Sequence, residues 1–285
     1  MNHLVPMRKM LEEASAAGYA VGAFEFWSLD SAQAVTRAAQ KFGVPVILQN
    51  GDFEANHARG YDKMRKLAEM AAADVDIPVA LHLDHAESIE TVRTAIEAGY
   101  TSVMMDASSH PYAKNVEMTR RVVEMAKSLG ISVESELGVL AGTEGNRSIL
   151  EEESLQTDPD EAARFVLDTG IDALAVAIGT AHGFYTRTPV INIERLKRIR
   201  KAVPVPLVLH GGSGTPEDKI REAVANGIAK VNICTEFIAA IAKGYTCAQA
   251  RPGFKYNVPN FFTTGAEAGY ELVCQKLLLF GAKER

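Results

Sequence analysis

Three histidines in this chain follow short apolar segments, and together they could form a metal site. His85 lies near the end of 80-ALHLDHA-86, His182 lies in a Thr-Ala-His-Gly segment, and His210 ends 206-PLVLH-210. Three imidazoles that converge can bind Zn²⁺ and leave a fourth coordination position open for a substrate. The alternative is three separate histidines, each satisfied by its own hydrogen bond. The occurrence of all three after apolar segments favours the metal site.

An aspartate stands directly before the first of these histidines. Asp84 is poorly explained as a fourth metal ligand, because a closed site leaves no room for a substrate. A carboxylate beside a bound metal ion suits general acid–base catalysis, whereas a carboxylate that only orients a histidine is the structural alternative. Strand alternation places His82 on the same side as Asp84 and opposite His85. We interpret His82 either as a support for the site or as a purely structural residue.

A glycine-rich turn follows His210 and leads into a predicted helix. In 209-LHGGSGTPEDKI-220, Thr215 is predicted to cap the helix and Pro216 to occupy its first position. Glycines allow backbone N–H groups to approach an anion closely, and the N-terminus of a helix favours negative charge. Together with the segment 232-NICT-235, this turn predicts a phosphate-binding site.

The elements that must position these residues repeat along the chain. Short apolar runs rich in Val, Ile and Leu alternate with amphipathic segments, and they cover residues 20–26, 44–50, 77–85, 102–108, 132–138, 173–180, 206–212 and 228–236. Such runs are typical of parallel strands buried on both faces, and eight of them predict an α/β fold, the (β/α)₈ TIM barrel. We expect a single domain over 1–285, with an extra N-terminal helix near 6–17 and a C-terminal helical tail near 265–280.

A barrel of this kind would bring the polar residues together. His85, His182 and His210 fall at the ends of the third, sixth and seventh predicted strands, and Asp106 and Glu136 fall at the ends of the fourth and fifth. The active site of a TIM barrel lies at the carboxyl ends of its strands. We therefore expect these side chains to line one mouth.

The composition narrows the class of protein. The 285 residues carry a formal net charge of −6, and the charges are interspersed without a basic block. This argues against nucleic acid and anionic membrane surfaces as partners. No apolar run reaches the roughly 18 residues of a membrane-spanning helix, and no secretory signal core is recognisable. Three cysteines without CxxC spacing are typical of reduced thiols, so we expect a soluble, cytoplasmic protein.

Six motifs spread over nearly the whole chain carry a family resemblance. They are 81-LHLDHA-86, 102-SVMMDAS-108, 132-SVESELG-138, 176-VAIGTAHGFY-185, 207-LVLHGGSG-214 and 230-KVNICTE-236. With them the chain resembles the class II, zinc-dependent ketose-bisphosphate aldolases, of the fructose- and tagatose-bisphosphate aldolase type. The resemblance implies reversible cleavage of a phosphorylated ketose into dihydroxyacetone phosphate and an aldehyde, by a homodimer or homotetramer.

The same resemblance implies roles for individual residues. Asp84 would be the proton donor of the reaction, and Glu144 would shuttle a second proton. Zn²⁺ would be bound by His85, His182 and His210, and a second-metal or alternate-metal position would match Asp106 and Glu136. A monovalent cation, Na⁺ or K⁺, is a candidate additional ion. Dihydroxyacetone phosphate would be held by Gly183, Gly211, Gly212, Ser213, Asn232, Ile233, Cys234 and Thr235.

A long connection after the fifth strand carries Glu144. About 20 residues, 139–158, separate that strand from the next helix, and a loop of this length is uncommon unless it is functional. Gly142 and Gly145 flank Glu144, so the segment could hinge over the mouth as a lid. The alternative is an acidic surface loop without a role. Glu134 is the next candidate for the proton shuttle.

The chain departs from the family pattern at the ends of the first two strands. Glu25 stands where the family has an asparagine, with Trp27 nearby, and Gly51 and Asp52 stand where the family tends to have Ser or Thr. Carboxylates there would repel a second phosphate, although Arg187 could offset part of the repulsion. We therefore expect an altered acceptor side and a substrate whose aldehyde half lacks a phosphate.

Three alternatives remain open. The chain could be an ordinary fructose or tagatose 1,6-bisphosphate aldolase with Glu25 pointing away. It could be a non-catalytic barrel subunit that supports a paralogous aldolase, although the intact Asp84 and histidine positions argue against that. It could also be a metal-dependent hydrolase or isomerase, which the phosphate-binding turn makes less favourable.

Overall fold

The computed structural model describes residues 4–144, 147–149, 155–183 and 189–283. The strands are β1 Val21–Glu25, β2 Val46–Asn50, β3 Val79–Ala86, β4 Ser102–Met105, β5 Ser132–Leu137, β6 Ala141–Glu144, β7 Arg147–Ile149, β8 Ala173–Val176, β9 Ala181–His182, β10 Leu207–Leu209 and β11 Ile228–Ile233. Eight of them pair in parallel as a closed barrel, in the order β1-β11-β10-β8-β5-β4-β3-β2. All eight predicted strands are confirmed as barrel strands, and the fold is a TIM barrel.

Helices connect the barrel strands, and several of them end at a glycine in the left-handed conformation, as at Gly43 and Gly99. Helices over Met7–Ala17 and Phe262–Leu279 confirm the predicted extra helix and helical tail. In the described ranges no helix combines the length and the apolar character that a membrane crossing needs. The helices are α1 Met7–Ala17, α2 Leu29–Phe42, α3 Asp52–His57, α4 Tyr61–Ala72, α5 Ile89–Ala98, α6 Tyr112–Lys127, α7 Pro159–Thr169, α8 Ile193–Ala202, α9 Glu217–Ala225, α10 Thr235–Gln249 and α11 Phe262–Leu279.

Helix α1 packs over the amino-terminal end of the barrel. Its buried side chains contact small inward-facing residues, which leave room for a helix. We call this cluster the floor; it consists of Met7, Met10, Leu11, Ala14, Val21, Ala23, Ile47, Ala80, Ala173, Ala175 and Val208. Burying a Leu or Met side chain contributes roughly 1.5–3 kcal/mol, so the floor stabilises the fold.

Towards the carboxyl ends of the same strands, the inward positions become polar. Strand side chains alternate with a period of two, so Ala80 is followed inward by His82 and then by Asp84. We call this end the mouth. Its buried polar side chains include Glu25, Gln49, His82, Asp84, Glu134, Glu136, Lys230 and Asn232.

The connection after β5 is only partly the loop that was predicted. Strands β6 and β7 form an antiparallel hairpin, and β6 also pairs in parallel with β9, which carries His182. Gly142 has a φ of 100°, and a Cβ there would lie 2.3 Å from the carbonyl oxygen of His182. Glycine is therefore required where the hairpin meets the backbone of His182. Residues 145–146 and 150–154 lie outside the described ranges.

Two local predictions need correction. Thr215 does not cap the helix after the glycine-rich turn: α9 begins at Glu217 with Pro216 before it, and the Thr215 hydroxyl donates to the carbonyl of Gly211 at 2.9 Å. The Thr215 hydroxyl thus closes the glycine-rich turn that precedes the helix and does not accept from the first amides of α9. The sixth barrel strand, β8, ends at Val176, so His182 belongs to the small sheet above the barrel and not to a barrel strand.

Candidate active site

A bulge in β3 brings two neighbouring residues to the same side. The pairing register between β3 and β4 shifts between Leu83 and Ala86, and His85 has a φ of 45° in the left-handed region. Such a φ is unusual for a residue other than glycine, and bulges re-aim side chains next to active sites. Nε2 of His85 consequently lies 3.9 Å from Oδ2 of Asp84. The alternation that was predicted to separate His85 from His82 and Asp84 is therefore wrong at this point.

The three predicted metal ligands come together at the mouth. The ring centroid of His85 lies 5.0 Å from that of His182 and 4.6 Å from that of His210, and His182 and His210 are 6.1 Å apart. One nitrogen from each lies within 4.8 Å of the others, which is a separation that one metal ion can bridge. His210 is fully buried, whereas His85 and His182 are partly exposed.

Hydrogen bonds with carboxylates select the ring nitrogens of His85 and His210 that remain for a ligand. Nδ1 of His85 donates to Oδ2 of Asp106 at 2.9 Å, and Nε2 of His210 donates to Oε1 of Glu134 at 2.9 Å. An ionised carboxylate only accepts, so each of these nitrogens carries the proton. Nε2 of His85 and Nδ1 of His210 are therefore the candidate metal ligands of these two rings. Asp106 is itself held by the amide and hydroxyl of Ser108.

A buried carboxylate faces the second nitrogen of His210. Nδ1 of His210 and Oε2 of Glu136 lie 3.1 Å apart, yet within the described residues neither atom has a hydrogen-bond partner. Burial and the charge of His85 lower the pKa of His210, but Glu134 and Glu136 outweigh them and raise it to about 9. Both atoms thus favour a cation between them, either a proton or a metal ion.

Two further groups of ligand atoms lie at the mouth. His85, Asp106 and Glu136 form one, which shares His85 with the histidine triad and coincides with the predicted second-metal position, and His82, Asp84 and Glu134 form the other. Burial lowers the pKa of His82, whose Nδ1 lies 3.1 Å from the Ser102 hydroxyl. A neutral, fully buried His82 beneath Asp84 fits the supporting role.

Asp84 is held by two amide side chains. Its Oδ2 accepts from Nε2 of Gln49 at 2.8 Å, and both its oxygens accept from Nδ2 of Asn232 at 3.1 and 3.2 Å. Burial alone would raise the pKa of Asp84, but the positive charge of His85 and the other donors around it lower it well below its usual value. Asp84 is therefore an oriented, ionised carboxylate. Gln49 was missed by the sequence reasoning.

A buried ion pair lies beneath the histidines. Nζ of Lys230 contacts the two carboxylate oxygens of Glu134 at 2.9 and 3.2 Å, and both side chains are fully buried. Burial would raise the pKa of Glu134, but Lys230 and His210 lower it to about 2. Glu134 thus stays charged and can orient His210. The sequence reasoning missed Lys230. Strand alternation could have revealed it, because Lys230 lies two residues before Asn232 and therefore on the same side of β11.

A small cavity adjoins the histidines. Glycine is required in its wall, because a Cβ on Gly211 would lie 2.4 Å from the carbonyl oxygen of Ala181, and one on Gly212 would lie 2.7 Å from that of Asn232. Ile233 does not face the cavity; its side chain is fully buried in the hydrophobic core. The lining residues are Gln49, Asp84, His85, His182, Gly183, Gly211, Gly212, Ser213, Asn232, Cys234 and Thr235.

The predicted acceptor residues have different surroundings in the structure. Glu25 is buried, and its Oε1 accepts from the amide of Gly51 at 3.2 Å. Trp27 packs against Phe237, with ring centroids 5.6 Å apart. Asp52 is exposed and accepts from the hydroxyl of Tyr61.

Two predicted residues cannot be placed in the site. Arg187 lies outside the described residues. The backbone of Glu144 belongs to β6, and its side chain is outside the description.

The fold and the site define a TIM-barrel enzyme with a candidate metal centre at its mouth. The chain matches the family model described as "Fructose-bisphosphate aldolase class-II" over residues 5–285. It therefore belongs to the class II fructose-bisphosphate aldolase family and is a lyase. Enzymes of this family are typically metal-dependent.

Solved structures share the fold, and the first two described here also support this assignment. The YdjI aldolase from Escherichia coli K12 is 35% identical, with a TM-score of 0.85 and coverage of 98% of each chain. A candidate fructose-1,6-bisphosphate aldolase from Coccidioides immitis is 28% identical, with a TM-score of 0.85 over 96% of this chain and 95% of that one. The fructose-bisphosphate aldolase of Campylobacter jejuni, 24% identical, shares the fold with a TM-score of 0.85, over 99% of this chain and 96% of that one.

Proposed function

We propose that the protein is a zinc-dependent class II aldolase that reversibly cleaves a ketose phosphate into dihydroxyacetone phosphate and an aldehyde. The observation that carries the proposal is the position of Asp84, an ionised carboxylate with Oδ2 3.9 Å from Nε2 of His85. Two amides hold it in the cavity wall. An acid–base group thus stands beside the metal ligands without being needed as one of them.

The residues present fit a metal ion. His85 and His210 each donate one ring nitrogen to a carboxylate, which fixes the orientation of the rings, and their other nitrogens together with His182 would supply three ligands. Three imidazoles with an open position are a ligand set of catalytic zinc. Bound there, Zn²⁺ would act as a Lewis acid that polarises the ketone oxygen of the substrate.

Two carboxylates divide the proton transfers. In the cleavage direction Asp84 accepts the proton of the hydroxyl next to the bond that breaks, and its low pKa keeps it available as a base. Glu144 returns a proton to the dihydroxyacetone phosphate half. The pairing of β6 with β9 supports this second role, because it links the segment of Glu144 to that of His182.

The glycine-rich turn binds the phosphate. Gly211 and Gly212 have no side chains to block the approach of an anion, and the start of α10 at Thr235 adds a helix N-terminus to the same cavity. Oγ of Ser213 accepts from the amide of Glu236 at 3.3 Å, which ties the turn to that helix.

The aldehyde half of the substrate lacks a phosphate. Oε2 of Glu25 lies 3.4 Å from Nε2 of Gln49, and that nitrogen also contacts Asp84, so a buried negative charge lies one side chain away from the acid–base group. A phosphate about 4 Å from such a charge costs roughly 4 kcal/mol at an effective dielectric constant near 20. Asp52 contributes less to this repulsion because it is exposed.

Condensation of dihydroxyacetone phosphate with a panel of aldehydes, with and without a phosphate, tests the proposal. We expect the zinc-loaded enzyme to consume dihydroxyacetone phosphate with unphosphorylated aldehydes, a chelator to stop the reaction, and added Zn²⁺ to restore it. A protein that binds zinc but condenses no aldehyde would contradict the proposed reaction. A protein that binds no zinc would support the reading as a non-catalytic subunit.

We also propose a single-domain, cytoplasmic protein that forms a homodimer or homotetramer. Light scattering of the purified protein measures the mass of the assembly, and a monomer at assay concentration would contradict that part. Assays in Na⁺, K⁺ and choline salts at equal ionic strength test the requirement for a monovalent cation.

A further inference from the structure

One amide side chain at the mouth bridges two buried carboxylates. Nε2 of Gln49 lies 2.8 Å from Oδ2 of Asp84 and 3.4 Å from Oε2 of Glu25. Gln49, Glu25 and Asp84 are 1%, 4% and 5% exposed. Ionised carboxylates accept hydrogen bonds and cannot donate them, so the amide nitrogen must face both of them. This fixes the orientation of the Gln49 amide.

The oxygen of the Gln49 amide is available to a hydrogen-bond donor. Oε1 of Gln49 is buried and has no hydrogen-bond partner among the described residues, although Gln49 lines the cavity beside the histidines. Asn232 repeats the arrangement: its Nδ2 donates to Asp84, and its buried Oδ1 likewise lacks a partner in the described part of the chain. A buried acceptor without a partner is costly, so both oxygens favour a ligand that donates hydrogen bonds.

Glu25 adds a second contact that fixes this arrangement. Its Oε2 lies 3.4 Å from Nε2 of Gln49, and the backbone amide of Gly51 donates to its Oε1 at 3.2 Å. Because the backbone holds Glu25 in turn, its contact with Gln49 keeps the amide nitrogen towards the two carboxylates and leaves Oε1 to another partner.

We propose that Gln49 Oε1 binds a hydroxyl on the carbon next to the aldehyde carbonyl, and that Glu25 is the positioning residue that holds Gln49 in this orientation. The inference rests on the proposed function, in which Asp84 handles the oxygen that becomes the aldehyde carbonyl. The amide nitrogen of Gln49 donates to Asp84, so Oε1 of the same amide lies close to that reacting oxygen. It can therefore reach a hydroxyl on the carbon next to the aldehyde carbonyl. The substrate class is thus a 2-hydroxyaldehyde without a phosphate.

Glycolaldehyde and acetaldehyde differ by this one hydroxyl and are the probes. For each, kcat/KM is measured in condensation with dihydroxyacetone phosphate, using the zinc-loaded enzyme and the variants Glu25→Gln and Gln49→Met. We expect the wild type to prefer glycolaldehyde, and each variant to reduce that preference about tenfold, which is the size of one well-placed hydrogen bond. A merely structural role would lower kcat/KM for both aldehydes together and leave their ratio unchanged.

Glu54→Gln is the matched control. Oε2 of Glu54 accepts from the same Gly51 amide at 3.0 Å, so the variant removes a neighbouring carboxylate charge while keeping Glu25 and Gln49. We expect Glu54→Gln to prefer glycolaldehyde as strongly as the wild type does. We expect Glu25→Asp to keep part of the preference that Glu25→Gln loses.

The outcomes separate this inference from the proposed function. A wild type that uses both aldehydes equally, or a Glu25→Gln variant with the full preference, overturns the inference alone. A wild type that condenses neither aldehyde overturns the proposed function as well. If Glu25→Gln does not fold, the preference of Gln49→Met decides.

Discussion

The floor and the mouth of the barrel use the same strands with opposite chemistry. At the floor, Ala80 of β3 and Val21 of β1 belong to the apolar cluster that packs against α1. Two to four residues further along, the same strands bury His82, Asp84 and Glu25. On β3, two residues therefore separate a position of the floor, Ala80, from the first buried polar position, His82.

The comparison shows how a barrel can hold so many buried polar groups. Burial of an unpaired charge costs several kcal/mol, and pairing lowers this cost at the mouth, where Glu134 contacts Lys230 and His210. The floor carries no such cost and contributes apolar burial. We expect substitutions at the mouth to change chemistry and substitutions at the floor to change stability.

Loss of a metal ligand should have the largest effect on turnover. We expect His182→Ala to lose its zinc and nearly all aldol activity while the melting temperature of the metal-free protein changes little, because the half-buried ring contributes little to the core. Mass spectrometry measures the zinc content, an aldol cleavage assay measures the activity, and calorimetry measures the melting temperature. His57→Ala, at an exposed histidine of α3, is the control and should keep both zinc and activity. Full zinc content and activity in His182→Ala would break the assignment.

The next effect concerns the second proton transfer. We expect Glu144→Gln to keep zinc and to slow exchange of the C3 proton of dihydroxyacetone phosphate with solvent by about 10²–10⁴, the contribution of a well-placed acid–base group. Exchange is followed by NMR in D₂O. Unchanged exchange would move the role to another carboxylate, with Glu134 the first to test.

A smaller effect should distinguish the substrates. Because Glu25 places a negative charge near the acceptor side, we expect fructose 1-phosphate to be cleaved at least about tenfold more efficiently than fructose 1,6-bisphosphate. The measurement is kcat/KM for both sugars at equal ionic strength. A hundredfold preference for the bisphosphate would remove the altered-acceptor proposal and leave the aldolase family assignment intact.

The floor should give the smallest effect on catalysis. Leu11→Ala removes a fully buried side chain of α1, which should lower the free energy of unfolding by about 2–5 kcal/mol. We expect kcat/KM of Leu11→Ala to stay within about twofold of the wild-type value. Urea unfolding and steady-state assays on the same preparation test both parts. A large loss of activity with unchanged stability would break the contrast between floor and mouth.

Much of the fold could be predicted from the sequence. Parallel strands buried on both faces leave continuous apolar runs, so all eight barrel strands were recognisable, and glycines such as Gly99 marked helix ends. The histidines and Asp84 were predicted to converge because a TIM barrel gathers the carboxyl ends of its strands at one mouth.

Other parts depended on local geometry that residue types do not show. The bulge that turns His85 towards Asp84 breaks the alternation from which their sides were inferred. The importance of Gln49 and Lys230 follows from partners 35 and 96 residues away. Thr215 could equally cap a helix or close its own turn, and only the distance to Gly211 decides between them.

Asp84→Ala tests the central claim, that an acid–base carboxylate stands beside a three-histidine metal centre. Zinc content and aldol cleavage are measured on the same sample, with the wild type and His182→Ala as references. We predict that Asp84→Ala keeps the wild-type content of zinc and binds dihydroxyacetone phosphate, yet loses cleavage by about 10²–10⁴. Loss of zinc in Asp84→Ala to the level of His182→Ala would contradict the account, because Asp84 would then be a ligand or the support of one.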